Sequence, residues 1–122
     1  MMQAANSVSD WAAALTATQT FATGINGTTT TITGNGGLNV IDATTGDLHN
    51  VPLTLTGTAN DYFVFNLFDG AVDTNKAMVL NGVDPNHILF NLLGTGTVFQ
   101  TSGGDVLFGT YLAVNGASFQ FS

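Results

Sequence analysis

"LTGTANDYFVFNLF" (Leu55–Phe68) and "LNGVDPNHILFNLL" (Leu80–Leu93) repeat one pattern at a constant offset, 80 − 55 = 25 residues. Five of the fourteen positions are identical: Leu55/Leu80, Gly57/Gly82, Phe65/Phe90, Asn66/Asn91 and Leu67/Leu92. Stacked structural repeats require self-similarity of this kind, because each repeat must set the same side chains above the last. A weaker third copy begins at Ile32 in "ITGNGG", with its offset drifted to 55 − 32 = 23. Roughly three short strands and their turns fit one such period. The expected fold is therefore all-β, an irregular β-helix (β-solenoid). The competing reading is a β-sandwich in which two strands share composition by chance.

Side-chain alternation along a strand assigns faces. With Phe63, Phe65 and Leu67 inward, Ile88, Phe90 and Leu92 stack on them one period away. Val64, Asn66 and Phe68 then face outward, matched by Leu89, Asn91 and Leu93. Such a face is too apolar to stand bare in water. One amphipathic segment is available to cover it: "DWAAALTA" reads as a helix over about 9–18, capped by Ser7 or Ser9, with Trp11 and Leu15 on one side. Asn66 and Asn91 are placed to form a stacked amide ladder. From about residue 28 to 122 the chain alternates strand-forming runs with turn signals such as "GNGG", "TTGD", "NGVDPN" and "SGGD". The whole reads as a single domain, 1–122.

Composition narrows the function. One Lys or Arg, Lys76, stands against eight acidic residues, for a net charge of −7. Phosphate neutralisation by a basic surface is excluded, so neither nucleic acid nor an anionic membrane surface is an expected partner. No run approaches the ~20 apolar residues of a spanning helix, so membrane insertion is not expected. Charged residues are only 7% of the chain and cysteine is absent, which removes disulfides and thiolate metal sites. A charge-poor, Thr-, Asn- and Gly-rich β protein points outside the cell or to its surface. "MMQAANSVSDWAAAL" has no basic n-region and no sustained apolar core of a secretory signal. The ending "SFQFS" stops within a strand-like pattern, so the chain reads as a fragment or short form of a longer secreted protein.

The stretch "VLNGVDPNHILFNLLGTGTVFQTSGGDVLFGTYLAVN" (Val79–Asn115) resembles the C-terminal half of bacterial choice-of-anchor A domains, secreted proteins also called collagen-binding-like. Asn81-Gly82, Ile88–Asn91, Gly94-Thr95, Ser102–Gly104, Gly109-Thr110 and Leu112-Ala113 carry the likeness. The same layout is similar to microbial β-helical ice-binding proteins, in which a helix lies along an irregular β-helix. Phe90 stands where ice binders typically have Trp, which tilts the resemblance toward the anchor-type relatives. Either family implies a β-helical fold and an extracellular setting.

Chemistry is sparse. His49 and His87 are the two histidines, and neither sits beside a nucleophile-elbow pattern, so no enzyme activity, catalytic residue or cofactor is expected. Asp69, Asp73 and Asn75 in "FDGAVDTN" could offer oxygen ligands to calcium, but the spacing fits neither an EF-hand nor a β-roll repeat. Asp-Gly and Asp-x-Asn are ordinary turn chemistry, and that reading is preferred. Thr29, Thr31, Thr54, Thr56 and Thr58 fall on strand faces with period two. They are either a surface that orders water or another ligand, or simply good β-formers on a solvated face. The functional expectation is a structural or adhesive surface protein binding a matrix or surface ligand and self-associating through solenoid ends. Ice binding through the Thr face is the alternative.

Overall fold

β-Branched and aromatic residues dominate the runs between the Gly- and Asn-rich turns, and these runs pair edge to edge. A computed structural model describes residues 2–25, 31–44, 46–48, 52–68, 72–74, 76–94, 98–101, 108–113 and 118–121. In chain order the described elements are α1 (Met2–Ala13), β1 (Gln19–Phe21), β2 (Thr31–Thr33), β3 (Leu38–Ala43), β4 (Gly46–Leu48), β5 (Thr54–Thr56) and β6 (Tyr62–Leu67). β7 (Val72–Thr74), β8 (Val79–Asn81), a 3-10 turn (Pro85–His87), β9 (Ile88–Leu92), β10 (Val98–Thr101), β11 (Thr110–Ala113) and β12 (Ser118–Phe121) follow.

The strands form three sheets in the orders β1-β3-β6-β9-β11, β12-β10-β7-β4 and β2-β5-β8. Every pairing among them is parallel. Among the described residues the protein is thus mostly β, with parallel sheets and one short α-helix. The 25-residue offset is the register of β6 on β9, which sets Phe65 beside Phe90 and Asn66 beside Asn91. The drifted third copy is also a register: Ile32 pairs with Leu55 and Leu55 with Leu80.

Ile41, Phe63, Phe65, Leu67, Ile88, Phe90 and Leu92 from the first sheet meet Ile32 and Leu55 from the third in one buried cluster. Within it the Phe65 and Phe90 rings stack at 4.5 Å, and Tyr111 continues the stack at 4.8 Å from Phe90. Offset ring pairs of this kind add to plain area burial. Burial pushes the Tyr111 phenol up, and its hydroxyl donates to the Phe108 carbonyl at 2.9 Å.

The helix differs from the sequence expectation. It occupies Met2–Ala13 rather than 9–18, and Leu15 lies beyond it, half-buried. Strand pairing claims the Thr-rich segment that follows. Thr18 donates its N–H to the Val40 carbonyl at 2.8 Å, and the Val40 N–H donates to Thr18 Oγ1 at 3.0 Å. β1 accordingly joins the sheet ahead of residue 28, where β structure was expected to begin. The contact face differs too. Ser9 and Ala12 are buried, whereas Trp11 is 53% exposed.

Candidate functional site

The reason for that rotation is polar. Asn66 and Asn91 are fully buried on the outer side of the first sheet, so their amides need partners. Asn91 Nδ2 donates to Asn66 Oδ1 at 2.9 Å, the amide ladder expected from the repeat, and also to the Ser9 carbonyl at 3.0 Å. Ser9 Oγ donates to Asn91 Oδ1 at 2.7 Å. Asn66 Nδ2 donates to the Ala12 carbonyl at 2.9 Å and toward Asp42 Oδ1 at 3.3 Å. Ala12 lies in the last turn of α1, where carbonyls lack helical partners, so Asn66 caps the helix from the sheet. A small, polar helix face can approach this row. An indole at the same place could not.

The third sheet carries the Thr candidates. Thr31, Thr54 and Val79 stand in register across β2, β5 and β8, and Thr33, Thr56 and Asn81 form a second row. Between the rows Ile32 and Leu55 are buried in the core, with Leu80 packed against it. Parallel strands lie ~4.8 Å apart and same-face residues ~6.6 Å apart along a strand, so the six side chains form a small regular grid. None of the six is charged. Thr31, Thr33, Val79 and Asn81 are exposed, and Thr54 and Thr56 on the central strand are half-buried. Asn81 Nδ2 lies 3.5 Å from Thr56 Oγ1, a long bond along the second row.

Thr58 is not part of this grid. It lies past the strand, where its Oγ1 donates to Asp61 Oδ2 at 3.2 Å and accepts from the Asn60 N–H at 3.2 Å. Thr29 falls outside the described residues, as do Asp69 and Asn75, and of Asp73 only the backbone in β7 is described. Sequence reasoning missed Thr33, Val79 and Asn81. The available signal was the triplet before each repeat glycine: "TIT" before Gly34, "TLT" before Gly57 and "VLN" before Gly82.

It also missed Asp61, which organises the corner beside the grid. Its carboxylate accepts from Asn39 Nδ2 at 3.0 Å, the Thr58 N–H at 2.8 Å and the Gly36 N–H at 2.8 Å. The Asn39 amide foremost, then the Thr58 and Gly36 N–H groups, hold its pKa at about 2 against the opposing effect of desolvation. The carboxylate sits so close to Gly57 that an added Cβ would lie 2.6 Å from Oδ2. Gly82, the repeat partner of Gly57, has φ +84 and would drive a Cβ into the Gly57 carbonyl. The identity Gly57/Gly82 therefore records two different steric demands at one corner.

A helix capped by sheet amides thus lies on one parallel sheet, and a neutral grid of Thr, Val and Asn stands on another. The family model described as "Putative Ice-binding-like adhesive domain" matches residues 1–121, and the chain belongs to that family. The match supports the ice-binding-like side of the resemblance and not the choice-of-anchor A side, which the Phe90 argument had favoured. A single ring substitution inside a buried stack reports on packing, so it was a poor discriminator between relatives. No curated protein and no solved structure matched the chain. Among the described residues no helix is long and apolar enough to cross a membrane.

Proposed function

We propose that the protein is a non-enzymatic adhesive domain of the cell surface or extracellular space, folded as a β-solenoid, that binds an extended ligand through the face of β2-β5-β8. The observation that carries this reading is the in-register grid of Thr31, Thr54 and Val79 beside Thr33, Thr56 and Asn81. β-Branched Thr is stiff at χ1, so the hydroxyls and methyls are held in place before binding and little rotamer entropy remains to be lost. A neutral grid complements a neutral, hydroxylated or hydrated surface. The solenoid reading is supported by the chain's passage from β2 to β10 through the third, first and second sheets in turn, with pairing offsets of 21 to 25 residues in the two sheets that meet in the core. Among the described residues β11 and β12 are outermost in their sheets, and in such a fold outer strands of this kind could template end-to-end association with a second copy.

Ice is the second reading, favoured by the regular spacing of hydroxyls and methyls, which suits an ordered water layer. Coated-bead adhesion to matrix and cell surfaces, run beside ice-shaping and thermal-hysteresis measurements, tests both. Thr54→Tyr and Thr56→Tyr should each abolish surface binding while circular dichroism stays unchanged. If both variants bind as well as the parent, the grid is not the binding face. Facetting of ice by the parent that disappears in both variants selects the ice reading.

A further inference from the structure

A cleft of about 260 Å³ opens between α1 and the outer face of the first sheet. Val64 and Leu89 give it an apolar lining, and Trp11 and Tyr62, 53% and 49% exposed, stand along it. Asn86 and Thr110, both exposed, add an amide and a hydroxyl. We propose that this cleft binds one neutral saccharide ring of a glycan.

Three observations select that ligand class. The first is charge: among the described residues no Asp, Glu, Lys or Arg lines the cleft, so an ionic ligand would be desolvated there without a carboxylate, ammonium or guanidinium counter-charge. The second is size. The volume lies just below the ~300–1,000 Å³ of ordinary small-molecule sites, which suits one ring and not a peptide helix. The third is the way aromatic surface is presented. His87 stacks on Tyr62 at 3.9 Å and 17°, and Leu38 stands beside Tyr62 in register on the next strand. His87 thus takes one face of Tyr62, which leaves the indole of Trp11, the larger ring and the more exposed, as the broad platform along the cleft. A cage for a quaternary ammonium needs several open ring faces. A pyranose needs one, for its C–H face, together with hydrogen-bonding groups for its hydroxyl edge. Asn86, Thr110 and the Tyr62 phenol supply those groups. A purely apolar ligand would strip water from them and return no hydrogen bond.

Trp11 is the only tryptophan in the chain, so its emission reports the cleft directly. The full chain is titrated with the methyl glycosides of glucose, galactose, mannose and N-acetylglucosamine, and with phosphocholine and hexanoate as counter-probes. At least one glycoside should change Trp11 emission saturably, with Kd on the order of 1 mM. By saturation-transfer NMR, Trp11→Ala should weaken that binding at least about tenfold, and Asn86→Ala severalfold, with circular dichroism unchanged. Thr54→Tyr, on a different sheet, should leave it unaffected, which separates this site from the Thr grid. No response to any glycoside, a response confined to phosphocholine or hexanoate, or full binding by Trp11→Ala would each overturn the proposal.

Discussion

Asp61 has four donors around one carboxylate, and its pKa of about 2 makes the corner acid-sensitive. The folded pKa lies below the ordinary value of 3.8. The stabilisation is therefore complete above pH ~4 and is lost as pH falls through the folded pKa near 2. Melting temperature measured from pH 7 to 2 should fall most steeply in that window. Asp61→Asn should melt lower at neutral pH and show a shallower acid slope, because an amide cannot accept from all the same donors. Equal acid slopes for parent and variant would remove Asp61 from the explanation. Phe90, 4% exposed between the Phe65 and Tyr111 rings, carries a packing prediction. Phe90→Ala should cost ~3–5 kcal/mol in denaturant titration, from lost transfer free energy and the cavity left between two rings. A cost under ~1 kcal/mol would mean that the stack collapses around the gap.

At the scale of elements, side chains of the sheet fasten α1 through hydrogen bonds at Ser9 and Ala12. Asn91→Ala removes the donor to the Ser9 carbonyl and to Asn66 Oδ1, and leaves Ser9 Oγ without its acceptor. Stranding buried polar groups costs ~1–3 kcal/mol, so helix amides near Ser9 and Ala12 should exchange hydrogen roughly 5- to 150-fold faster. Exchange in β6 should change much less if the loss is local. Unchanged helix protection would show that the ladder does not hold it. The repeat made the sheet legible in the sequence: Phe65 over Phe90, Asn66 over Asn91 and the inward Phe63, Phe65 and Leu67 all follow from one offset and strict alternation. The helix was less legible because local propensity in "DWAAALTA" competes with pairing of Thr18 to Val40, a partner 22 residues away that no local pattern reveals. The helix face was misjudged for a related reason. Trp11 and Leu15 look like an anchor until the surface beneath is known to be a row of amides.

For the molecule as a whole, net charge and edges act against each other. Charge of −7 opposes association of copies, but at physiological ionic strength screening limits its reach to ~8 Å. If β11 and β12 present open edges in a proposed solenoid, light scattering should show end-to-end dimers or filaments growing with salt. A monomer at high concentration in both low and high salt would mean that those edges are closed. The candidate binding face was only partly legible. Thr31, Thr54 and Thr56 stand out by composition, yet Val79 and Asn81 join them only through register, and Thr58 leaves because Asp61 claims its hydroxyl.

The clasp between Ser9 and Asn91 also sets a clock. It joins residues 82 positions apart, so during synthesis the helix, which Asn66 can hold earlier at Ala12, waits for β9 before its second anchor forms. At ~5–20 residues per second that wait is ~4–16 s, long after a helix of this length could form and melt many times. Until Asn66 and then Asn91 emerge the helix lacks its anchors, and the outer apolar side chains of the first strands are open to any neighbouring nascent chain. The Ser9–Asn91 bond completes the sheet's hold on the helix and closes this vulnerable period, and a variant lacking Asn91 should be lost to aggregation during production before any deficit appears in the purified protein.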